Sequence, residues 1–134
     1  MAKLAIITGA GQGIGEGIAY RLAKEGYAIA VADINQQKAA EVVNNLTAQD
    51  FPSKAYYLDV AHRDEVFNLV NSAVSDFGEL AVFINNAGIA FIERFVDTDP
   101  EAFERLIDVN LKGTYWGIQA AAKQFLKQGK GGRI

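Results

Sequence analysis

The chain has 134 residues, 50% hydrophobic and 22% charged, which predicts one compact domain with a real core. A formal net charge of −3 leaves no broad basic surface for nucleic acid or an anionic membrane, and the lack of cysteine excludes disulfides and thiolate-bound metal. The apolar run Leu4 to Thr8 is too short for a signal-peptide core or a membrane span, so the expected location is the cytoplasm.

Leu4 to Thr8 reads as a strand that ends in glycines, and Ile14, Ile18 and Leu22 then recur every fourth residue up to Gly26, a helix stop. Ala28 to Ala32 is a second strand, followed by a helical pattern at Ala39, Val42, Val43 and Leu46. A weaker third strand, Ala55 to Leu58, precedes Val66, Leu69, Val70, Ala73, Val74 and Phe77 at helical spacing, with Gly78 as the stop. Leu80 to Ile84 is a fourth strand without charge, as expected of a parallel strand covered on both faces. Thr98 and Glu101 have the spacing of a capping box around Pro100, predicting a helix that runs to Gln128. Such a helix would be roughly 42 Å long at about 1.5 Å per residue. Gly129, Gly131 and Gly132 break it, and Arg133–Ile134 read as the first step of a fifth strand. The last strand, Leu80 to Ile84, is therefore expected to be an uncovered sheet edge. Strand and helix alternating four times predict an α/β fold: a doubly wound, three-layer parallel sheet with right-handed crossovers and a crevice at the carboxyl ends of its strands.

Every candidate motif falls at such an end. Thr8, Gly9, Gly11, Gln12, Gly13, Ile14 and Gly15 lie between the first strand and the first helix, where free backbone N–H groups can receive a pyrophosphate. Glycines also serve plain tight turns, so position rather than composition favours the dinucleotide. No Gly-Lys-Ser/Thr follows, which excludes the phosphate loop of nucleoside triphosphatases. Asp33 ends the second strand, 20 residues after Gly13, where a carboxylate can accept from ribose hydroxyls and would repel a 2′-phosphate. Neither Gln12 nor Ile34 supplies a cation, so the charge pattern favours NAD over NADP. The alternative for Asp33 is a residue that merely begins a turn before Asn35.

Together these landmarks resemble the short-chain dehydrogenase/reductase family. Thr8-Gly-x-x-x-Gly13-x-Gly15, Asp33, Asp59-Val60, Asn85-Asn86-Ala87-Gly88 and Val109-Asn110-Leu111-Lys112-Gly113 match its pattern in order and spacing across the whole chain. The resemblance implies that residues 1–134 are an NAD(P)-binding Rossmann domain, with Asp59 and Val60 at the adenine and Asn86, Ala87, Gly88 and Val109 lining the cofactor site. It also implies that Asn110 is the Asn of an Asn-Ser-Tyr-Lys tetrad, its backbone holding a water in a proton relay. Taken alone, Asp59 could be a turn residue, Asn85-Asn86 polar residues at a strand end, and Asn110 an exposed residue of a long helix. An Asn inside that helix also predicts a local irregularity there or a bound water.

The family's catalytic Ser and Tyr-x-x-x-Lys are expected after a fifth strand, and none is present; Tyr20 and Lys24 have the spacing but fall on the first helix. The chain is therefore expected to be the N-terminal part of a longer enzyme. Residues 9–15, 32–35 and 116–121 are similar to the branch of the family that interconverts diacetyl, acetoin and butanediol, which implies a small ketone or alcohol substrate and, as is common in the family, a homotetramer. The competing readings are a non-catalytic NAD-binding module and a methyltransferase using S-adenosylmethionine on a similar sheet. His62 reads as a solvated loop residue, and Glu93, Arg94, Asp97, Asp99 and Glu104 lack metal-ligand spacing, so no metal is expected. Tyr115 and Trp116 are expected to pack against another helix or subunit.

Overall fold

The computed structural model describes residues 2–134. In chain order the elements are β1 (Leu4–Thr8), α1 (Gly13–Lys24), β2 (Ala28–Asp33), α2 (Gln36–Thr47), β3 (Ser53–Tyr57), α3 (Arg63–Phe77), β4 (Leu80–Ile84), a 3-10 turn (Phe95–Asp97), α4 (Pro100–Leu106), a π-helical segment (Ile107–Lys112) and α5 (Gly113–Gln128). The four strands are parallel in the order β3-β2-β1-β4.

Side-chain alternation splits the core into two layers. Leu4 and Ile6 of β1 and Ala30 and Ala32 of β2 pack with Val66, Leu69, Val70 and Ala73 of α3 and Ala120 and Ala121 of α5. Ala5, Ile7, Ile29 and Val31 point the other way, onto Ala19 and Ala23 of α1 and Ala39, Val42 and Leu46 of α2. The central strands β1 and β2 bury both faces, which is why they read as unbroken apolar runs. This is the Rossmann-type, doubly wound arrangement.

Four features differ from the sequence reading. β3 starts at Ser53, ahead of the apolar run, because an edge strand pairs through its backbone, with Ser53 opposite Ile29, and does not need two apolar faces. The expected long helix does run without a break from Pro100 to Gln128, but it carries a π-helical segment, Ile107–Lys112, centred on Asn110, where the irregularity is expected. Its physical origin is a tether, since the Asn110 side chain is bonded to the loop after β4. The helix cap is Asp99 rather than Thr98: the Asp99 carboxylate accepts from the Ala102 amide at 3.2 Å, with Pro100 at the first helical position. Finally, the β4 edge is not bare. Phe83 N–H donates to Arg133 O and Arg133 N–H donates to Ala81 O, both at 2.9 Å, the first rung of another parallel ladder. One residue pair along, the Gln128 side chain imitates a strand partner, donating to Leu80 O at 2.7 Å and accepting from Leu80 N–H at 3.3 Å.

Candidate functional site

The strand order puts β1 between β2 and β4, so the loops leaving β1 and β4 diverge and open a crevice at the carboxyl ends of the strands. A cleft of about 410 Å³ occupies it. Its walls come from the β1–α1 turn (Gly9, Gln12, Gly13, Ile14), the end of β2 (Asp33, Ile34), the segment after β3 (Leu58, Asp59, Val60), the segment after β4 (Asn86 to Ile89), and Arg105 and Val109.

The turn after β1 is built by close packing. A Cβ on Gly9 would lie 2.8 Å from Ala87 Cα, and one on Gly15 would lie 2.4 Å from Gly9 O and 2.5 Å from Asn86 Nδ2. Gly13 shares a positive φ with Gly9, +60° against +65°, but nothing stands within 4 Å of where its Cβ would be, so the chain turns into α1 there beside open space. α1 begins at Gly13 without a side-chain cap, leaving its first-turn amides without side-chain partners. Thr8 and Asn86 strap this turn to β4. Thr8 Oγ1 accepts from the Asn86 and Ala87 amides at 3.1 Å each, and Asn86 Nδ2 donates to Thr8 O at 3.0 Å and Gly9 O at 3.1 Å.

Asp33 is held at both oxygens, Oδ2 accepting from Gly11 N–H at 2.9 Å and Oδ1 from Asn35 N–H at 2.8 Å. Gly11 has no room for a side chain, since its Cβ would stand 2.9 Å from Asp33 Oδ2. Asp59 is almost fully enclosed, with Oδ1 accepting from Ala61 N–H at 3.0 Å and Oδ2 from Arg105 Nη2 at 3.1 Å. Asn110 faces the segment after β4: its Oδ1 accepts from Ile89 N–H and its Nδ2 donates to Ile89 O, both at 2.8 Å.

Of the residues marked in the sequence, Gly9, Gln12, Gly13, Ile14, Asp33, Asp59, Val60, Asn86, Ala87, Gly88 and Val109 line the cleft. Thr8, Gly11, Gly15 and Asn110 stand behind it and shape its walls. Sequence reasoning missed Arg105 and Lys38. Lys38 Nζ donates to Gln12 Oε1, so a cation does stand beside Gln12, contrary to the reading from Gln12 and Ile34 alone. A signal existed for each: Lys38 lies three residues after the helix-capping Asn35, and Arg105 lies four before the buried Val109, on the same helical face. Among the described residues, no Ser, Tyr, Lys or His lines the cleft. Tyr20 packs on the core layer of α1 instead. His62 is an exposed residue at the start of α3, and Trp116 packs on the α3 side of the sheet, with the Arg63 guanidinium 5.7 Å from its ring.

A parallel sheet with an uncapped glycine turn after β1, a carboxylate at the tip of β2 and a crevice at the switch point defines a Rossmann-type nucleotide-binding protein. The family model described as short chain dehydrogenase matches residues 3–134. The chain belongs to that family. It is 42% identical over 134 residues to a diacetyl reductase [(S)-acetoin forming] of Staphylococcus epidermidis, a match covering 100% of this chain and 52% of that protein. A short-chain dehydrogenase/reductase of Armillaria gallica is 42% identical over 135 residues, covering 98% of this chain and 51% of the relative. A crystal structure of a short chain dehydrogenase/reductase from Burkholderia phymatum in complex with NAD superposes with a TM-score of 0.94 at 27% identity, over 98% of this chain and 47% of that one. The chain thus spans about half the length of the relatives it matches.

Proposed function

We propose that the chain binds NAD in this cleft and forms the cofactor-binding half of an oxidoreductase that interconverts a small ketone of the diacetyl or acetoin kind and its alcohol. The observation that carries the cofactor reading is Asp33, a carboxylate held by two backbone amides at the tip of β2 on the cleft wall. Its remaining lone pairs suit the hydroxyls of a ribose and its charge opposes a 2′-phosphate. The residues present fit a dinucleotide. The open side of Gly13 and the uncapped start of α1 suit a pyrophosphate, with Gly9, Gln12 and Ile14 around it. Asp59 and Val60 suit the adenine, while Asn86, Ala87, Gly88 and Val109 line the remainder of the site. Thr8, Gly11 and Gly15 hold the turn in shape. A bound nicotinamide would supply or accept a hydride.

The substrate reading is supported by family membership and by relatives named for diacetyl reduction, among them two that are 42% and 40% identical to this chain. Proton transfer to the carbonyl oxygen requires a positioned acid; the two carboxyl groups on the cleft wall, Asp33 and Asp59, are each held by backbone N–H groups or Arg105, and no Ser, Tyr, Lys or His lines the cleft among the described residues. We therefore assign the catalytic Ser and the Tyr-x-x-x-Lys pair to a longer protein of which these residues are the first half, with Asn110 the tetrad member on this part. That protein would be a cytoplasmic homotetramer. The same absence favours a second reading, in which the 134 residues act alone as a non-catalytic NAD-binding module. Fluorescence titration with NADH and NADPH, beside a diacetyl and acetoin assay, tests the proposal. The expected result is saturable NADH binding, weaker NADPH binding and no turnover by the 134-residue chain; turnover by this chain would overturn the assignment of the proton donor elsewhere. Asp33→Ser is expected to weaken NADH by about tenfold and to narrow its preference over NADPH.

A further inference from the structure

Arg105 sits in the wall of the cleft, on α4, a helix that otherwise packs outside the sheet. Its Nη2 donates to Asp59 Oδ2 at 3.1 Å, and the pair bridges residues 46 apart in the chain. The Asp59 side chain is only 11% exposed, while that of Arg105 is 42% exposed and reachable from the cleft.

Sheet order says what this pair faces. With the phosphate turn at β1 and the ribose carboxylate Asp33 at the tip of β2, the base of a bound dinucleotide continues toward β3, whose end carries Leu58, Asp59 and Val60. Adenine and hypoxanthine differ along one edge: a 6-amino donor against a 6-oxo acceptor, and beside it an N1 acceptor against an N1–H donor, so only a carboxylate fixed in direction at position 6 tells them apart. An ionised carboxylate is acceptor-only, so it favours the amine and rejects the oxo group. Such discrimination needs the carboxylate fixed in direction. Ala61 N–H anchors one oxygen, and the Arg105 guanidinium anchors the other with a charge-assisted bond. The other cation-capable group nearby, His62, has its Nε2 3.6 Å from Asp59 Oδ2, beyond good hydrogen-bonding distance, and also approaches Glu65.

We infer that Arg105 is a positioning residue for base recognition: by bonding Asp59 it holds an acceptor oriented so that it selects a 6-amino purine over a 6-oxo purine. This rests on the reading of the cleft as an NAD site. Arg105 would act through Asp59 and not on the reacting atoms.

The test is a pair of fluorescence titrations of the 134-residue chain, with NADH and with reduced nicotinamide hypoxanthine dinucleotide, on the unmodified protein and on Arg105→Met and Arg105→Gln. The unmodified chain is expected to prefer NADH by roughly tenfold or more, and both variants to fall within about threefold of equality. If Arg105 only ties α4 to the sheet, both ligands weaken together and the preference survives in the variants; that result overturns the inference. An unmodified chain that binds both dinucleotides equally overturns it too. Binding of neither would instead remove the NAD reading on which it stands. Should Arg105→Met fail to fold, Arg105→Gln, whose amide is neutral and two bonds shorter than Nη2 of the guanidinium, gives the same comparison.

Discussion

Gly13 and Gly15 are two residues apart in the same turn, yet the structure gives them opposite duties. A side chain at Gly13 meets open space but must accept a φ of +60°, which costs about 1 kcal/mol for an L-residue. At Gly15 it meets Gly9 O and Asn86 Nδ2 at 2.4 and 2.5 Å, a clash worth about 3 kcal/mol in a packed turn. Gly13→Ala is thus expected to lose more NADH affinity than stability, and Gly15→Ala the reverse, read by urea denaturation beside NADH titration. Equal stability losses would contradict the assignment of the open side to the ligand. Asn110 also acts locally. Its amide completes both backbone groups of Ile89, so Asn110→Ala is expected to cost about 1–2 kcal/mol in urea denaturation. The sequence marked Asn110 because an amide among apolar neighbours needs partners; it could not say that the partner lies 21 residues earlier.

At the scale of elements, β3 is the weakest-looking strand and is held from the side. Asp76 of α3 accepts from Tyr56 Oη at 2.5 Å and from Lys54 Nζ at 2.8 Å, clipping the edge strand to the helix. Burial, then the bond to Asp76 and its charge, push the Tyr56 hydroxyl well above its ordinary value of 10.0. The bonds from Lys54 and Tyr56 pull the Asp76 carboxyl below its ordinary value of 3.8. The signs follow from linkage. Unfolded Tyr56 ionises near 10 while the folded residue keeps its proton, so stability falls as pH rises past that value. Asp76 contributes stability above its unfolded value, lost as pH falls through the lower folded one. Thermal melts across pH are expected to show both limbs, with Tyr56→Phe flattening the alkaline one; an unchanged alkaline limb would disprove the clip. The neighbouring elements also show where periodicity stops informing. β4 shifts register between the pairs Leu4–Leu80 and Ala5–Val82, a bulge hidden in the sequence because all five of its residues are apolar and either face suits them. The π-helical turn was legible only as a misplaced Asn, since the apolar spacing runs through it.

Across the whole molecule, several large apolar side chains remain outside: Ile92 and Phe95 in the segment after β4, Val96 beside them, and Leu126 on α5 are each at least 80% exposed. Burying them would contribute roughly 2 kcal/mol apiece. The chain is therefore expected to self-associate with rising concentration in sedimentation experiments, and Leu126→Lys to weaken that association; a monomer at all concentrations would contradict it. No helix among the described residues is long and apolar enough to cross a membrane. The alternation of strands and helices, the parallel sheet with two buried faces, and the positions of the glycine turn and Asp33 were all legible along the chain, because apolar periodicity and glycine placement are local properties that do not depend on what packs against them. Tertiary structure alone decided which marked residues line the cleft and which brace it, that Lys38 stands at Gln12, that Arg105 holds Asp59, and that Gln128 and Arg133 dress the β4 edge. Those pairings join side chains and backbone far apart in the chain, and no local spacing encodes which distant surface a helix will meet.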